Sequence, residues 1–129
     1  MSVLIDGTNG VTFNDNTNQP SASAVLTNYG VIRAIDYTTP STGFSYTIPA
    51  NVTVAILQPA GTLATGTITM PAAPINGMTI TISCTQIITA LTLSANSGQS
   101  IVNAISTLAA GGTVSYIYRQ ANTTWYKVA

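Results

Sequence analysis

The chain has 129 residues, enough for one domain with a short arm. Only 5% of them are charged, against about 25% in an ordinary soluble domain, and the formal net charge is zero. The whole set is Asp6, Asp15, Asp36, Arg33, Arg119 and Lys127, with no Glu and no His, which leaves neither a nucleic-acid footprint nor the usual stock of catalytic acids and bases. Polarity comes instead from Ser, Asn, Gln and above all Thr, about one residue in six. A surface with so little charge favours association, so the chain reads as one that works among copies of itself. The competing reading is a secreted β-domain kept in solution by hydroxyl and amide groups. Against it, the opening MSVLIDGTNG has neither the basic nor the apolar region of a targeting peptide. No apolar run approaches the roughly 18 residues of a membrane helix.

In chain order, Leu4-Ile5-Asp6 and Val11-Thr12-Phe13 read as short strands around the Gly-rich turn Gly7-Thr8-Asn9-Gly10. Residues 14–23 are polar and turn-rich. Residues 1–28 are therefore expected to form an N-terminal arm that pairs with a neighbouring copy or partner, because so short a hairpin is marginal alone. Residues 29–129 are expected to form the globular domain. Short strands fit 31–37, 44–48, 66–70 and 90–94. The stretch Val52-Thr53-Val54-Ala55-Ile56-Leu57 is apolar on both faces, as a central strand would be. Met78, Ile80, Ile82 and Cys84 alternate with Thr79, Thr81 and Ser83, a period of two with one apolar face.

Residues 101–110 have some helical potential, since Ile101, Ile105 and Leu108 fit one helical face. Val114, Tyr116 and Tyr118 then alternate with Thr113 and Ser115. Gln120-Ala121-Asn122 turns the chain into Trp125-Tyr126-Lys127-Val128, a C-terminal hairpin. Turn residues separate these runs, among them Thr39-Pro40-Ser41, Gln58-Pro59-Ala60-Gly61, Asn76-Gly77 and Gly111-Gly112. Short strands at such spacing predict an all-β fold, an antiparallel β-sandwich of jelly-roll type with an extended N-terminal arm.

Chemistry is sparse. Ser or Cys nucleophiles need an activating base, usually His, and there is none. Asp6 and Asp15 sit in turn-rich sequence and Asp36 in a strand, so structural roles are expected for all three; a pairing of Asp6 with Asp15 across the hairpin stays open. A Ser–Lys pair through Lys127 has no surrounding motif. Cys84 has no partner for a disulfide and reads as a buried thiol. With three Asp and one Cys, no catalytic, cofactor-binding or metal-binding residues are expected; a weak calcium site from Asp and backbone carbonyls is the remaining alternative. Trp125, Tyr116 and Tyr118 suit either a sugar-stacking platform or a core and subunit interface. Their place in regular strands favours the second.

Two stretches resemble tailed-bacteriophage virion structural proteins. One is Leu4-Ile5-Asp6-Gly7-Thr8-Asn9-Gly10-Val11-Thr12-Phe13 with the turn Asn14 to Gln19, in which Asn14 stands where that family often has Pro. The other runs through Thr69-Met70-Pro71-Ala72-Ala73, Gly77 to Ile82, Gly98-Gln99-Ser100-Ile101, Val114 to Tyr118 and Thr124-Trp125-Tyr126. The resemblance implies a β-rich, usually trimeric virion component without enzymatic activity or cofactor. It would be made in the bacterial host cytoplasm and incorporated into the phage particle. The short chain, with no heptads or shaft repeat, suits a capsid decoration or cement protein, a homotrimer on the major capsid protein or another virion protein. A small tail-fibre, collar or fibre-tip protein, or a β-module that binds host polysaccharide, are the alternatives. No nucleic-acid or membrane partner is implied.

Overall fold

The computed structural model describes residues 4–6, 10–12, 18–19 and 33–129. Contacts divide the chain into two units, Met1–Ile32 and Arg33–Ala129. In the first, β1 (Leu4–Asp6), β2 (Gly10–Thr12) and β3 (Asn18–Gln19) pair antiparallel in the order β1-β2-β3. Ile5 lies opposite Val11, and Val11 opposite Gln19. The first two strands pair as the expected hairpin, with Gly10 in the strand rather than the turn and Phe13 outside the described residues. The third falls in a stretch expected to hold only turns.

The second unit is all-β. Its strands begin with β4 (Ile35–Thr38), β5 (Phe44–Thr47), β6 (Val54–Leu57), β7 (Leu63–Thr69), β8 (Thr79–Cys84) and β9 (Ile88–Ser94). They end with β10 (Ser100–Val102), β11 (Gly112–Arg119) and β12 (Thr124–Lys127). A 3-10 turn, Gln120–Asn122, joins the last two where the hairpin turn was expected, and Thr123 closes it in the left-handed region. No α-helix forms over 101–110; β10 lies there instead.

These strands make a larger sheet, β10-β12-β11-β8-β6-β4, and a smaller one, β5-β7-β9. From β4 to β9 the chain alternates between them, and each return lays a strand parallel to the one before. The result is a solenoid-like stack of three coils. Antiparallel pairing, expected throughout, is confined here to β8–β11 and β11–β12, with a bridge between Ile88 and Leu108. The physical reason lies in the turns. Segments such as 39–43 and 58–62 carry the chain across to the other sheet rather than back along the same one, so the jelly-roll connections do not arise.

Stacking makes rows of side chains. In the larger sheet Asp36, Ala55, Ile82 and Val114 are register neighbours facing inward, and so are Thr38, Leu57 and Cys84. In the smaller sheet the inward rows are Phe44–Gly66–Leu91 and Tyr46–Ile68–Leu93. Both sheets contribute to one core, closed by Ile48, Met70, Ile80, Tyr116 and Trp125. Burying side chains of this size contributes about 1.5–3 kcal/mol each, which drives the stacking.

The two ends of the stack differ. Beyond β9 the chain folds back: Ile88 and Leu108 exchange backbone hydrogen bonds of 2.9 and 3.1 Å, and Leu91 N–H donates to Ser106 O at 2.8 Å. Beyond β8, the larger sheet is extended by β11, β12 and β10. At the other end, β4 and β5 are edge strands, with no strand paired to their outer sides among the described residues.

Candidate assembly surface

The outer face of the larger sheet carries the most distinctive surface. Strict alternation turns Ile35 and Tyr37 of β4 outward, while Asp36 and Thr38 turn inward. Parallel pairing then sets Ile35 beside Val54 and Tyr37 beside Ile56. Ile35 is 62% exposed and Tyr37 55%, and the two β6 residues are half-buried. These four side chains form an apolar rectangle. Its rows continue as hydroxyls, Thr81 and Ser115 behind Val54, Ser83 and Thr113 behind Ile56.

Polar contacts fix its rim. Tyr37 Oη donates to Gln58 Oε1 at 2.7 Å, and Arg33 Nη1 donates to Thr81 Oγ1 at 3.3 Å. The Thr81 and Ser115 hydroxyls lie 2.9 Å apart. No carboxylate side chain belongs to these outer rows, because Asp36 is the only acidic residue after position 32 and it faces inward. A second apolar group, Ile117, Tyr126 and Val102, shares the face in a further register row.

The smaller sheet's outer face differs in chemistry. Its rows are Ser45–Thr67–Thr92 and Thr47–Thr69–Ser94. They hold hydroxyls and methyls without a large apolar side chain.

The three aromatic residues weighed as a sugar platform are inside. Tyr116 and Trp125 are fully buried and Tyr118 nearly so, with the Tyr118 and Trp125 ring centroids 5.1 Å apart. Trp125 Nε1 donates to Gln99 Oε1 at 2.8 Å, and Gln99 Nε2 donates in turn to the carbonyls of Pro71 and Ala72. Tyr116 Oη donates to Asn103 O at 2.8 Å and accepts from Ile105 N–H at 3.2 Å. Burial of the rings is therefore matched by satisfied polar tips. Their faces are not available for stacking.

The candidate ionisable groups are dispersed. Asp36 is half-buried and accepts from Tyr46 Oη at 2.6 Å; burial foremost, then this bond and the carboxylate's charge, pushes the Tyr46 phenol well above its ordinary range. Burial also raises Tyr116, partly offset by the bond from Ile105. Cys84 is a free thiol within the core. Lys127 lies at the exposed end of β12. Asp6 ends β1, and Asp15 lies outside the described residues. Among the described residues no three of His, Cys, Asp or Glu gather at metal-binding distance.

One open groove of about 370 Å³ is lined by residues that include Asn51, Thr53, Pro71, Ile75 and Met78, none of them charged. It runs where the turn before β6 meets the turn before β8. Neither this groove nor the apolar rectangle has a local signature in the sequence, because both join residues of separate coils. Neither a protein-family model nor a curated protein matches the chain.

Proposed function

We propose that this chain is a non-enzymatic structural component of a bacteriophage virion, a capsid decoration or cement protein that acts as a homotrimer on the major capsid protein or another virion protein. The observation that carries the reading is the rectangle of Ile35, Tyr37, Val54 and Ile56 on a sheet face whose outer rows, among the described residues, hold no carboxylate. Exposed apolar side chains that adjoin in register mark association surfaces. The zero net charge removes long-range repulsion between copies. The resemblance of residues 4–19 and of the stretches between 69 and 126 to phage virion proteins supports the setting. Residues 1–28 serve in this reading as the attaching arm.

A tail-fibre or fibre-tip role is the second reading, favoured by the parallel stacking of β4 to β9, which suits elongated assemblies. Host-polysaccharide binding through Trp125, Tyr116 and Tyr118 is disfavoured by their burial.

Light scattering of the purified chain tests the assembly claim. A trimeric mass is expected at micromolar concentration, with a lower mass for the double variant Ile35→Ser, Tyr37→Ser. A wild-type chain that stays monomeric removes the proposal. Imaging of particles then distinguishes a shell position from a tail position.

A further inference from the structure

Asp36 occupies an unusual position. It is the first member of an inward row whose other members, Ala55, Ile82 and Val114, are all buried and apolar. The pleat allows no other direction, since Ile35 and Tyr37 on either side take the outward positions. One coil further in, the corresponding position is a fully buried alanine. At the end of the stack it is a carboxylate, held by Tyr46 Oη from the facing sheet at 2.6 Å.

We infer that Asp36, clamped by Tyr46, closes this end of the stack to a second copy. Edge strands of a stacked sheet are templates for further strands, and an inward-pointing charge is one way to block them. A strand added to the outer side of β4, unpaired among the described residues, would stand about 4.8 Å away and enclose the carboxylate between apolar neighbours. Burying a charge that one hydroxyl holds, among the described residues, is strongly unfavourable. A second copy stacked end to end would bring its own Asp36 into the same interior, adding like-charge repulsion in a low-dielectric space. The rest of the inward end coil would not resist. Phe44, Tyr46 and Thr38 are half-buried and uncharged, and they would gain burial from an added coil.

This inference goes beyond the proposed virion role and does not depend on it, because it concerns which end of the fold can polymerise. Asp36→Asn retains the size of the side chain and an acceptor for Tyr46, so it isolates the charge. Asp36→Val restores the apolar row. Both are made in the full-length chain and followed by light scattering across a concentration series, with electron microscopy of the largest species. Each is expected to form linear assemblies larger than the wild-type species, with a mass that grows with concentration. Tyr46→Phe, which keeps the carboxylate, is expected to retain the wild-type mass. If folded Asp36→Asn shows the wild-type mass at every concentration, the inference is overturned. It is overturned equally if Tyr46→Phe polymerises to the same extent, since loss of the clamp rather than of the charge would then open the end.

Discussion

Phe44 lies across Gly66 so closely that a Cβ on residue 66 would stand 1.9 Å from Phe44 Cε1. The two are register neighbours in the parallel pair β5–β7, where the ring fills the space left by the absent side chain. Gly66→Ala must therefore displace the ring, and overpacking of this kind costs roughly 1–3 kcal/mol. A lower urea midpoint with an unchanged slope is expected. Adding Phe44→Leu to Gly66→Ala should recover part of the loss, because the smaller side chain leaves room for the methyl. Full additivity of the two changes would count against this packing relationship.

The Tyr116 hydroxyl supplies a second test. It ties Asn103 O and Ile105 N–H, just before the segment whose Ser106 and Leu108 bond to β9. Tyr116→Phe leaves both backbone groups without that partner, at a cost of about 1–3 kcal/mol. Amide exchange should quicken first at Leu108, whose N–H donates to Ile88 O. Uniform change across the sheets would show that the hydroxyl has no local role.

Most strands were legible because alternation is a local property. Met78 to Cys84 and Val114 to Tyr118 show their buried faces without reference to any neighbour. Pairing direction was not legible from that signal, since parallel and antiparallel strands bury side chains with the same period. A signal for it exists in the match of Phe44-Ser45-Tyr46-Thr47-Ile48-Pro49 to Gly66-Thr67-Ile68-Thr69-Met70-Pro71, two coils of one stack in register. Residues 101–110 left a short helical turn open because Ile101, Ile105 and Leu108 have helical spacing. The chain instead brings Ile101 to the core from β10 and Leu108 from the bridge to Ile88. The apolar rectangle needed that register, because Ile35 and Tyr37 meet Val54 and Ile56 only through parallel pairing.

Response to pH follows from the same composition. With no His and no Glu, the melting temperature should be nearly constant between about pH 5 and 8. Alkaline pH acts differently. Tyr46 and Tyr116 hold their protons more tightly in the folded chain than the ordinary tyrosine value of 10.0. Above that value the unfolded chain releases protons that the folded chain retains, so stability is lost as pH rises through the raised folded values. Thermal melts from pH 7 upward should show a decline beginning near pH 10. Tyr46→Phe should make it shallower, and an identical decline in that variant would assign the loss to other groups.

The last prediction separates folding from attachment. Residues 33–129 hold a core of their own that runs from Ile48 to Trp125. The N-terminal sheet has strands of three, three and two residues, shorter than the usual 5 to 6 or so. Ordering each residue costs roughly 1–2 kcal/mol of backbone entropy, a cost such short strands offset best by pairing with a partner. A chain lacking residues 1–32 should therefore keep its β-sheet circular dichroism and melt within a few degrees of the full-length protein. In the proposed virion role it should also fail to join particles, because the attaching arm is gone. Loss of the β-sheet spectrum would show that the N-terminal unit is needed for folding. A folded, truncated chain that still decorates particles at full occupancy would place the attachment surface within residues 33–129, with the apolar face of β4 and β6 the first region to mutate.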